Sequence, residues 1–350
     1  MPSDLTIVIP TYKEAANIPE LVKRIRAVCD GTILFVDDSP DMETVNAAES
    51  LGCKVLHRTT KRGLSSAIID GIDLATTRKV IVMDADLQHP PELLPKMAEA
   101  LDKNGLVVAS RWVPGGGVKD WSFKRVLVSK FANVLALPLA SKIKDRTSGF
   151  FGLNKNIVDT SKLSPIGWKT GLEIMVKGKY ESAVEVPFIF VPRTKGESKF
   201  NFKQVRDYIK QLFFLYMGKY RLLNFMAVGA VGTIINLIVY WALTPLFHTK
   251  TTVFGQQYYL PAFAIAITIA TASNYYLNKR YTFNDKKEVT AGFWQYMGMG
   301  LVTSIVDMVL LFLMVRFLHI WNQLAVVFAI IMAFMIRYVA AKHWIWRKNK

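Results

Sequence analysis

The stretch that decides the fold is Lys79-Val-Ile-Val-Met-Asp-Ala-Asp-Leu-Gln88. Its apolar run predicts a strand buried on both faces, which is typical of a parallel sheet covered by helices. Asp84, Asp86 and Gln88 close the run. Because alternate residues of an extended segment face the same way, we expect these three side chains to lie on one side of the strand end. Their oxygen atoms suit Mg²⁺ or Mn²⁺, so the stretch also predicts a divalent metal site.

The segments on both sides of this stretch alternate between strand and helix. The predicted strands are 4–10, 32–37, 53–57, 79–84 and 106–110, and the predicted helices are 63–76, 91–102 and one that Asn17 caps. This alternation predicts an α/β domain with a mostly parallel, Rossmann-like sheet and helices on both faces. Ligands of such sheets bind at the carboxyl ends of the strands.

Polar residues follow three of the predicted strands, at Pro10–Glu14, Asp37–Ser39 and Asp84–Asp86. An isolated Asp-x-Asp is usually a solvated turn, but its place among other polar strand ends favours a ligand site. No Gly-x-Gly-x-x-Gly follows the first strand, and the chain has no Gly-Lys-Ser/Thr phosphate loop. Dinucleotide dehydrogenases and P-loop ATPases are therefore disfavoured.

The composition indicates more than one domain and a membrane protein. The chain has 350 residues, 51% of them hydrophobic, and its mean hydropathy is +0.24. Lys and Arg number 44 against 27 Asp and Glu, which gives a net charge of +17. The two cysteines, Cys29 and Cys53, are too few for a disulfide framework or a four-cysteine zinc site. The N-terminus shows no signal or transit pattern, so we expect the first domain to stay where it is synthesised.

Acidic residues nearly disappear in the last third of the chain. Residues 221–350 hold 12 basic and 3 acidic residues. Because a span needs about 20 apolar residues, we expect four spanning helices, at 222–246, 258–278, 293–316 and 322–341. A soluble core rarely supplies four such runs. Basic clusters flank these spans at 219–221, 279–287 and 342–350. They predict a cytoplasmic location for the first domain, the middle loop and the C-terminus. This orientation accounts for the net charge, so we expect no nucleic-acid partner.

The membrane part has the pattern of a duplicated hairpin. Residues 225–236 match 296–307, and residues 274–283 match 337–346. Both copies begin on the same side, which predicts parallel repeats. This part resembles the four-span GtrA-like family of small membrane proteins, which is linked to the handling of polyprenyl-linked sugars.

Two amphipathic segments precede the spans. Residues 203–216 carry Val205, Ile209 and Phe213 on one helical face, which predicts a helix in the lipid interface. Residues 123–135 are a second candidate, and the alternative is that both faces pack on the protein core. We therefore expect three parts, namely 1–202 as the α/β domain, 203–220 as the interfacial helix and 221–350 as the transmembrane domain.

Several motifs carry a resemblance to a known family. They are Val8–Glu14, Val36–Asp41, Arg62–Ser65, Asp84–Glu92, Ser110–Val118, Trp121 with Arg125, Asp145–Phe150 and Gly196–Lys199. Together they resemble family 2 glycosyltransferases of the GT-A fold and, among them, the dolichol-phosphate mannose synthase family. The match covers about residues 5–205. One departure is Lys13, where the family usually has Asn.

The resemblance implies a role for each matching residue. Base and ribose would be held by Pro10, Tyr12, Glu14, Val36 and Asp38. The metal would be held by Asp84, Asp86 and Gln88, with Asp84, Ala85, Arg193 and Lys199 at the donor diphosphate. The acceptor phosphate would be held by Arg111, Arg125 and Ser129. The residues expected to be essential for catalysis are Asp86, Arg111, Arg125 and Lys199.

The resemblance further implies transfer of mannose from GDP-mannose to dolichyl or another polyprenyl phosphate at the membrane. The reaction would invert the anomeric centre, depend on Mg²⁺ or Mn²⁺, and give the β-mannosyl phosphate. One alternative is transfer of glucose from a UDP-sugar, and another is a transporter of lipid-linked sugars. A processive polysaccharide synthase is less favoured, because the chain has no Gln-x-x-Arg-Trp motif.

Overall fold

The computed structural model describes residues 4–60, 63–192, 202–247, 251–253, 256–285, 290–316 and 322–346. The chain divides into two compact units, Met1–Lys219 and Tyr220–Lys350. The strands are β1 (Leu5–Thr11), β2 (Thr32–Asp37), β3 (Lys54–His57), β4 (Lys79–Val82), β5 (Leu106–Ser110), β6 (Gly117–Val118), β7 (Phe151–Asn154), β8 (Ala183–Pro187), β9 (Ile189–Phe190), β10 (Thr251–Val253) and β11 (Gln256–Tyr258). The α-helices are α1 (Ile18–Arg26), α2 (Glu43–Glu49), α3 (Leu64–Leu74), α4 (Leu94–Lys103), α5 (Phe123–Leu135), α6 (Thr170–Lys177), α7 (Phe202–Lys219), α8 (Arg221–Leu243), α9 (Leu260–Leu277), α10 (Thr290–Arg316) and α11 (Asn322–Ala340).

The first unit is built on a seven-stranded sheet in the order β3-β2-β1-β4-β7-β5-β8. Strands β3, β2, β1 and β4 are parallel to one another, and β8 is parallel to β5. Strand β7 runs antiparallel to both β4 and β5. The predicted α/β class with a mostly parallel sheet is confirmed. The antiparallel β7 was not predicted, because four residues that include a glycine give no strand signal of their own.

Alternation along β1 sends its side chains into two helical layers. Ile7 lies in a buried cluster with Leu21 of α1 and Met97 of α4. Val8 faces α3 on the other side of the sheet. There Gly71 lets the helix approach the strand, since a Cβ at this position would lie 2.3 Å from the Val8 side chain. Both faces of the sheet are therefore covered, which explains the unbroken apolar runs of the strands.

One local prediction is wrong and another holds only in part. Strand β4 ends at Val82, and the chain bends at 85–87 instead of continuing as an extended segment. The period-two argument for a shared face of Asp84, Asp86 and Gln88 therefore fails. Asn17 stands at the N-cap position of α1, as predicted, but its side chain makes no capping hydrogen bond. Its Nδ2 donates instead to Glu14 Oε2 at 2.7 Å, so it links the first loop to the start of the helix.

Helices α5 and α7 lie side by side and keep apolar side chains on the surface. Tyr208 Oη donates to the Ala132 carbonyl at 2.7 Å, and Tyr216 Oη donates to the Leu135 carbonyl at 2.6 Å. The large apolar side chains that stay exposed include Phe123, Leu127, Phe131 and Val134 of α5 and Phe202, Ile209, Phe213 and Phe214 of α7. These side chains do not pack on the core, which is what a helix at a lipid interface requires.

The second unit consists of α8 to α11 and the hairpin β10–β11. In the part of the chain that the structure describes, Arg221–Leu246 is the one helix long and apolar enough to cross a membrane. The four-span prediction stays a prediction. The paired segments 274–283 and 337–346 both contain a π-helical turn near their ends. Their last residues, Phe283 and Trp346, stack with ring centroids 4.3 Å apart. The duplicated hairpin stays a prediction.

Candidate active site

Four of the predicted nucleotide-binding residues lie at the carboxyl ends of β1 and β2. Pro10 and Val36 are opposite each other in the parallel pair, and both are buried. Tyr12 comes directly after β1, and 41% of its surface is exposed. Asp38 comes directly after β2, and its backbone N–H donates to the Thr11 carbonyl at 3.0 Å. Pro10 and Val36 thus line the inner part of this edge of the sheet. Tyr12 and Asp38 follow the strands, and of these two only Tyr12 is exposed.

Asp38 is oriented by Arg58, a residue that sequence reasoning missed. Arg58 Nε and Nη2 donate to the two oxygens of Asp38 at 2.8 and 2.7 Å, and the Gly63 N–H donates to it at 2.7 Å. Arg58 Nη1 donates to Asp70 at 2.9 Å. A carboxylate has about four lone-pair sites, so these bonds fix Asp38 and leave room for one further donor. Arg58 directly follows β3, so the strand-end rule that selected Asp38 also applied to it.

The loop after β4 is shaped by hydrogen bonds of its own backbone. His89 Nδ1 accepts from the Asp84 N–H at 3.0 Å, and Asp86 Oδ1 accepts from the Gln88 N–H at 3.1 Å. Gln88 Nε2 donates to the Val191 carbonyl at 2.9 Å. Asp86 and Gln88 are buried, whereas 40% of the Asp84 side chain is exposed. One carboxylate of the pair is thus enclosed and the other faces the opening of the site.

His89 is a buried, neutral ring that accepts a backbone hydrogen bond of this loop. It stacks on Phe150 at 4.9 Å between centroids and meets the edges of Phe188 and Phe190 at 5.9 Å each. Burial lowers the pKa of His89 to about 4. Because Nδ1 accepts the Asp84 N–H, the ring proton is on Nε2, so the 3.8 Å approach to the Asp84 carboxylate is not an ion pair. The sequence motif contained His89 without indicating this positioning role.

The donor set of the loop fits a hard divalent cation. Asp84, Asp86 and Gln88 offer carboxylate and amide oxygens, which suit Mg²⁺ or Mn²⁺. Leu87 between them has a φ of 62°. This left-handed conformation costs a residue with a Cβ about 1 kcal/mol or more, and such strain concentrates at functional sites. Among the described residues no three His, Cys, Asp or Glu side chains converge. The loop therefore fits a cation that shares its shell with substrate phosphates, not an all-protein cage.

Arg111 belongs to a buried ion pair. Its Nε and Nη2 donate to the two oxygens of Asp145 at 2.8 Å each, and Nη2 also donates to Thr147 Oγ1 at 3.0 Å. Burial would raise the pKa of Asp145, but the bonds from Arg111 outweigh it and hold that pKa below its usual value. The described residues give Arg111 Nη1 no hydrogen-bond partner. This nitrogen is therefore the part of Arg111 that has capacity for an anionic ligand.

Lys169 adds a second cation that sequence reasoning missed. Its Nζ donates to the Thr147 carbonyl at 2.7 Å. The pKa of Lys169 is lowered to about 8, chiefly by burial and also by the charge of Arg111, whereas the charges of Asp84 and Asp145 oppose the shift. Lys169 thus lies within electrostatic reach of both the acidic loop and Arg111. It comes directly before α6, far from any quoted motif, so no local pattern marked it.

Arg125 and Ser129 lie one turn apart on α5 and therefore share a face. Ser122 caps this helix, because its Oγ accepts from the Arg125 N–H at 3.3 Å. The Arg125 guanidinium lies 4.1 Å from the centroid of the Trp121 ring, and that of Arg111 lies 5.6 Å from the same centroid. Two of the residues predicted for the acceptor phosphate thus meet at one aromatic ring.

Comparison with known proteins identifies both parts of the chain. Residues 6–161 match the family described as glycosyl transferase family 2, and residues 224–346 match the GtrA/DPMS transmembrane domain. A dolichol-phosphate mannosyltransferase of Pyrococcus furiosus is 36% identical over 98% of this chain and 99% of its own length. The chain belongs to the dolichol-phosphate mannosyltransferase family. It is therefore a glycosyltransferase and a membrane protein.

Other members of the mannosyltransferase family match a smaller part of the chain. The dolichol-phosphate mannosyltransferase of Saccharomyces cerevisiae is 34% identical over 69% of this chain and 95% of its own length. Polyprenol monophosphomannose synthase of Mycolicibacterium smegmatis is 34% identical over 57% of this chain and 82% of its own length. Among solved structures, glucosyl-3-phosphoglycerate synthase of Mycobacterium tuberculosis matches with 17% identity and a TM-score of 0.47. The match covers 61% of this chain and 79% of the synthase chain. That similarity is too low to transfer anything about the site.

Two predicted site residues of this family member, Arg193 and Lys199, lie outside the described residues. The remaining predicted residues lie on or shortly after β1 and β2, in the loop after β4, directly after β5 and on α5. The role of each predicted residue stays a prediction. The predicted metal, diphosphate and phosphate groups of the described chain thus all come from the first unit.

Proposed function

We propose that this mannosyltransferase transfers mannose from GDP-mannose to dolichyl or another polyprenyl phosphate, with inversion and with Mg²⁺ or Mn²⁺. The observation that carries the proposal is the meeting of the acidic Asp84–Gln88 loop with the cations Arg111 and Lys169. A sugar nucleotide and a phosphate monoester are both anionic, so joining them needs one site for a metal-bound diphosphate and another for a phosphate. The names of the relatives support mannose as the sugar and a polyprenyl phosphate as the acceptor.

The donor is proposed to lie along the carboxyl ends of β2, β1 and β4. Tyr12 and Glu14 would contact base and ribose, and the fixed carboxylate of Asp38 would accept from one donor of the guanine edge. Arg193 and Lys199 are proposed at the diphosphate. Asp84, Asp86 and Gln88 would hold the metal, which when bound offsets the charge of the departing diphosphate.

The acceptor needs orientation more than activation. A phosphate monoester is already anionic near neutral pH, so no general base has to remove a proton. One of its oxygens attacks the anomeric carbon, and the bond from that carbon to GDP breaks with its electron pair leaving on the diphosphate. A single in-line displacement converts the α-linked donor into a β-linked product. Arg111 Nη1, Arg125 and Ser129 are proposed to hold the phosphate during attack.

The lipid chain is proposed to lie at the exposed faces of α5 and α7. Phe123 of α5 and Phe202 of α7 are 82% and 83% exposed, and both helices also carry basic side chains. Residues 221–350 are proposed to form four spans, with the first unit and the C-terminus in the cytoplasm. Anchoring next to the lipid pool raises the effective concentration of the acceptor.

The test is transfer from labelled donors by the purified full chain in detergent. GDP-mannose and UDP-glucose are compared side by side with a polyprenyl phosphate, each with Mn²⁺ and with excess chelator. We expect a labelled lipid from GDP-mannose with metal only, and none with Asp86→Ala, because no neighbour replaces that carboxylate. Faster transfer from UDP-glucose would contradict GDP-mannose as the donor. Undiminished turnover in excess chelator would contradict the proposed metal dependence.

A further inference from the structure

Trp121 lies against the two arginines that the proposed function assigns to the acceptor phosphate. Its ring centroid is 4.1 Å from the Arg125 guanidinium and 5.6 Å from that of Arg111. A ring face carries negative charge density, so it attracts both cations. Arg111 is already fixed by Asp145, so the ring opposes the repulsion that would drive Arg125 away from Arg111. Trp121 therefore stabilises a paired arrangement before any phosphate arrives.

The polar edge of the same ring is unused. The Nε1–H of Trp121 is buried and has no hydrogen-bond partner in the described residues. A buried donor without an acceptor costs about 1–3 kcal/mol, so such a group calls for an explanation. Trp112 has the same feature, and its ring centroid also lies 5.6 Å from the Arg111 guanidinium. Two unpaired indole donors thus flank one buried arginine.

Aromatic contacts connect Trp121 to the loop that carries the predicted metal ligands. Trp121 meets the edge of Phe190 at 5.3 Å, and Phe190 meets the edge of His89 at 5.9 Å. His89 in turn accepts the backbone N–H of Asp84. A continuous row of packed rings therefore joins the acidic loop to the arginine pair, and packed interiors deform little. This row fixes the distance between the two parts of the site.

We propose that Trp121 is an acceptor-binding residue, which positions Arg125 and Arg111 through its ring and donates its indole N–H to the phosphate of the incoming lipid. The inference rests on the proposed function, since it takes the arginine pair as the acceptor site. Stacking on a ring face uses none of the N–H groups of an arginine, so the ring orients both guanidinium groups without taking a hydrogen-bond donor from either. Arg111 contributes Nη1, because its other nitrogens already bind Asp145.

Two substitutions separate the two parts of this role. Trp121→Phe keeps a ring for the arginines but removes the N–H, and Trp121→Leu removes both. From the strength of hydrogen bonds to charged groups, we expect Trp121→Phe to raise the KM for a short prenyl phosphate about tenfold. Trp121→Leu also loses the cation–π contacts, so we expect it to raise the KM for the same acceptor at least roughly thirtyfold. The affinity for GDP with Mn²⁺, measured by calorimetry, should change less than about twofold in both variants.

A double mutant shows whether Trp121 acts through Arg125. If the ring positions Arg125, adding Trp121→Leu to Arg125→Ala should cost less than Trp121→Leu costs in the wild-type chain. Trp121→Phe, which keeps the ring, should cost the same in both backgrounds. A tryptophan that only fills space would give additive losses. Trp294→Leu is the matched control, because Trp294 belongs to the second unit, is 72% exposed and packs against Phe293. It should leave the acceptor KM within about twofold of the wild-type value, a change too small to count as a lost contact.

Three results would contradict the proposed role of Trp121. A wild-type acceptor KM in Trp121→Phe overturns the N–H contact, and additive losses for Trp121→Leu with Arg125→Ala overturn the positioning. Parallel loss of GDP affinity would show that Trp121 serves the donor site or the fold instead. Failure of the proposed function looks different, since the wild-type chain itself would then make no mannosyl lipid from GDP-mannose.

Discussion

Arg111 and Asp145 form a buried ion pair with two parallel hydrogen bonds, both 2.8 Å long, although 34 residues separate them in the chain. A third bond, from the Arg111 backbone N–H to Asp145 at 2.9 Å, fixes the end of β5 as well as the side chain. The pair therefore sets both the position and the direction of the guanidinium. One edge of Arg111 is committed to the protein and the other is left for a ligand.

Asp145→Asn should damage acceptor binding by releasing Arg111. The amide keeps the shape of the side chain, but one of its ends is a donor that faces the donors of Arg111 and leaves a buried charge unpaired. Breaking a buried pair in this way typically costs about 3–5 kcal/mol of stability. We expect a lower melting temperature and a kcat/KM for the lipid reduced by about a hundredfold. Asp159→Asn, which alters an exposed ion pair with Lys162, is the control. It should leave the melting temperature and the kcat/KM for the lipid unchanged. Unchanged kinetics in Asp145→Asn would show that Arg111 has no need of its partner.

His89 should make the protein sensitive to mild acid. Its pKa is lowered to about 4 in the folded chain by burial, against 6.5 in the unfolded chain. A lowered pKa gives stability that is complete above pH 6.5 and is lost as the pH falls towards 4, because the unfolded chain binds the proton first. The difference in melting temperature between the wild-type chain and His89→Phe, measured without metal, should therefore shrink from pH 7 to pH 4.5. A difference that does not depend on pH would mean that His89 has the same pKa in the folded and the unfolded chain.

The strand ends were predictable because they depend on local apolar runs. An apolar segment of six or seven residues was enough to predict each of β1, β2 and β4. The polar residues that follow these strands are adjacent to them in sequence. The rest of the site depends on contacts that no short window contains. Arg58 reaches back to Asp38 across 20 residues, and Lys169 reaches Thr147 across 22. The bend after Val82 likewise follows from His89, whose place is set by the distant ring of Phe150.

Lys169 should give the reaction an alkaline limit. Its pKa is lowered to about 8 by burial, so its charge is complete below that pH and is lost as the pH rises. We expect kcat/KM for the donor to fall above about pH 8 in the wild-type chain, because this parameter reports groups of the free enzyme. Lys169→Arg should remove the limit, and Lys169→Met should be about tenfold to a hundredfold slower at pH 7. Lys162→Met, on an exposed side chain, should follow the wild-type profile. The same alkaline limit in Lys169→Arg would assign it to another group.

The one departure from the family motif has a structural consequence. Lys13 adopts a φ of 58°, a left-handed conformation that Asn tolerates better than other residues with a Cβ. Lys13→Asn should therefore stabilise the chain by up to about 1 kcal/mol, with the bond from its backbone N–H to Ser39 Oγ kept. Lys23→Asn in α1 is the matched control, and it should destabilise by about 0.5 kcal/mol, because Asn is a poorer helix former. Thermal melting of both variants checks this, and a destabilised Lys13→Asn would show that the lysine side chain itself contributes.

The most direct test of the central claim is the identity and stereochemistry of the product. The full chain in detergent is given GDP-mannose, a short polyprenyl phosphate and Mn²⁺, and GDP release, lipid product and anomeric configuration are measured in the same reaction by chromatography and NMR. The proposed in-line attack by a phosphate held at Arg111 and Arg125 predicts one β-mannosyl phosphate for each GDP released. An α-linked product would contradict the single displacement, and GDP release without any mannosyl lipid would contradict the acceptor.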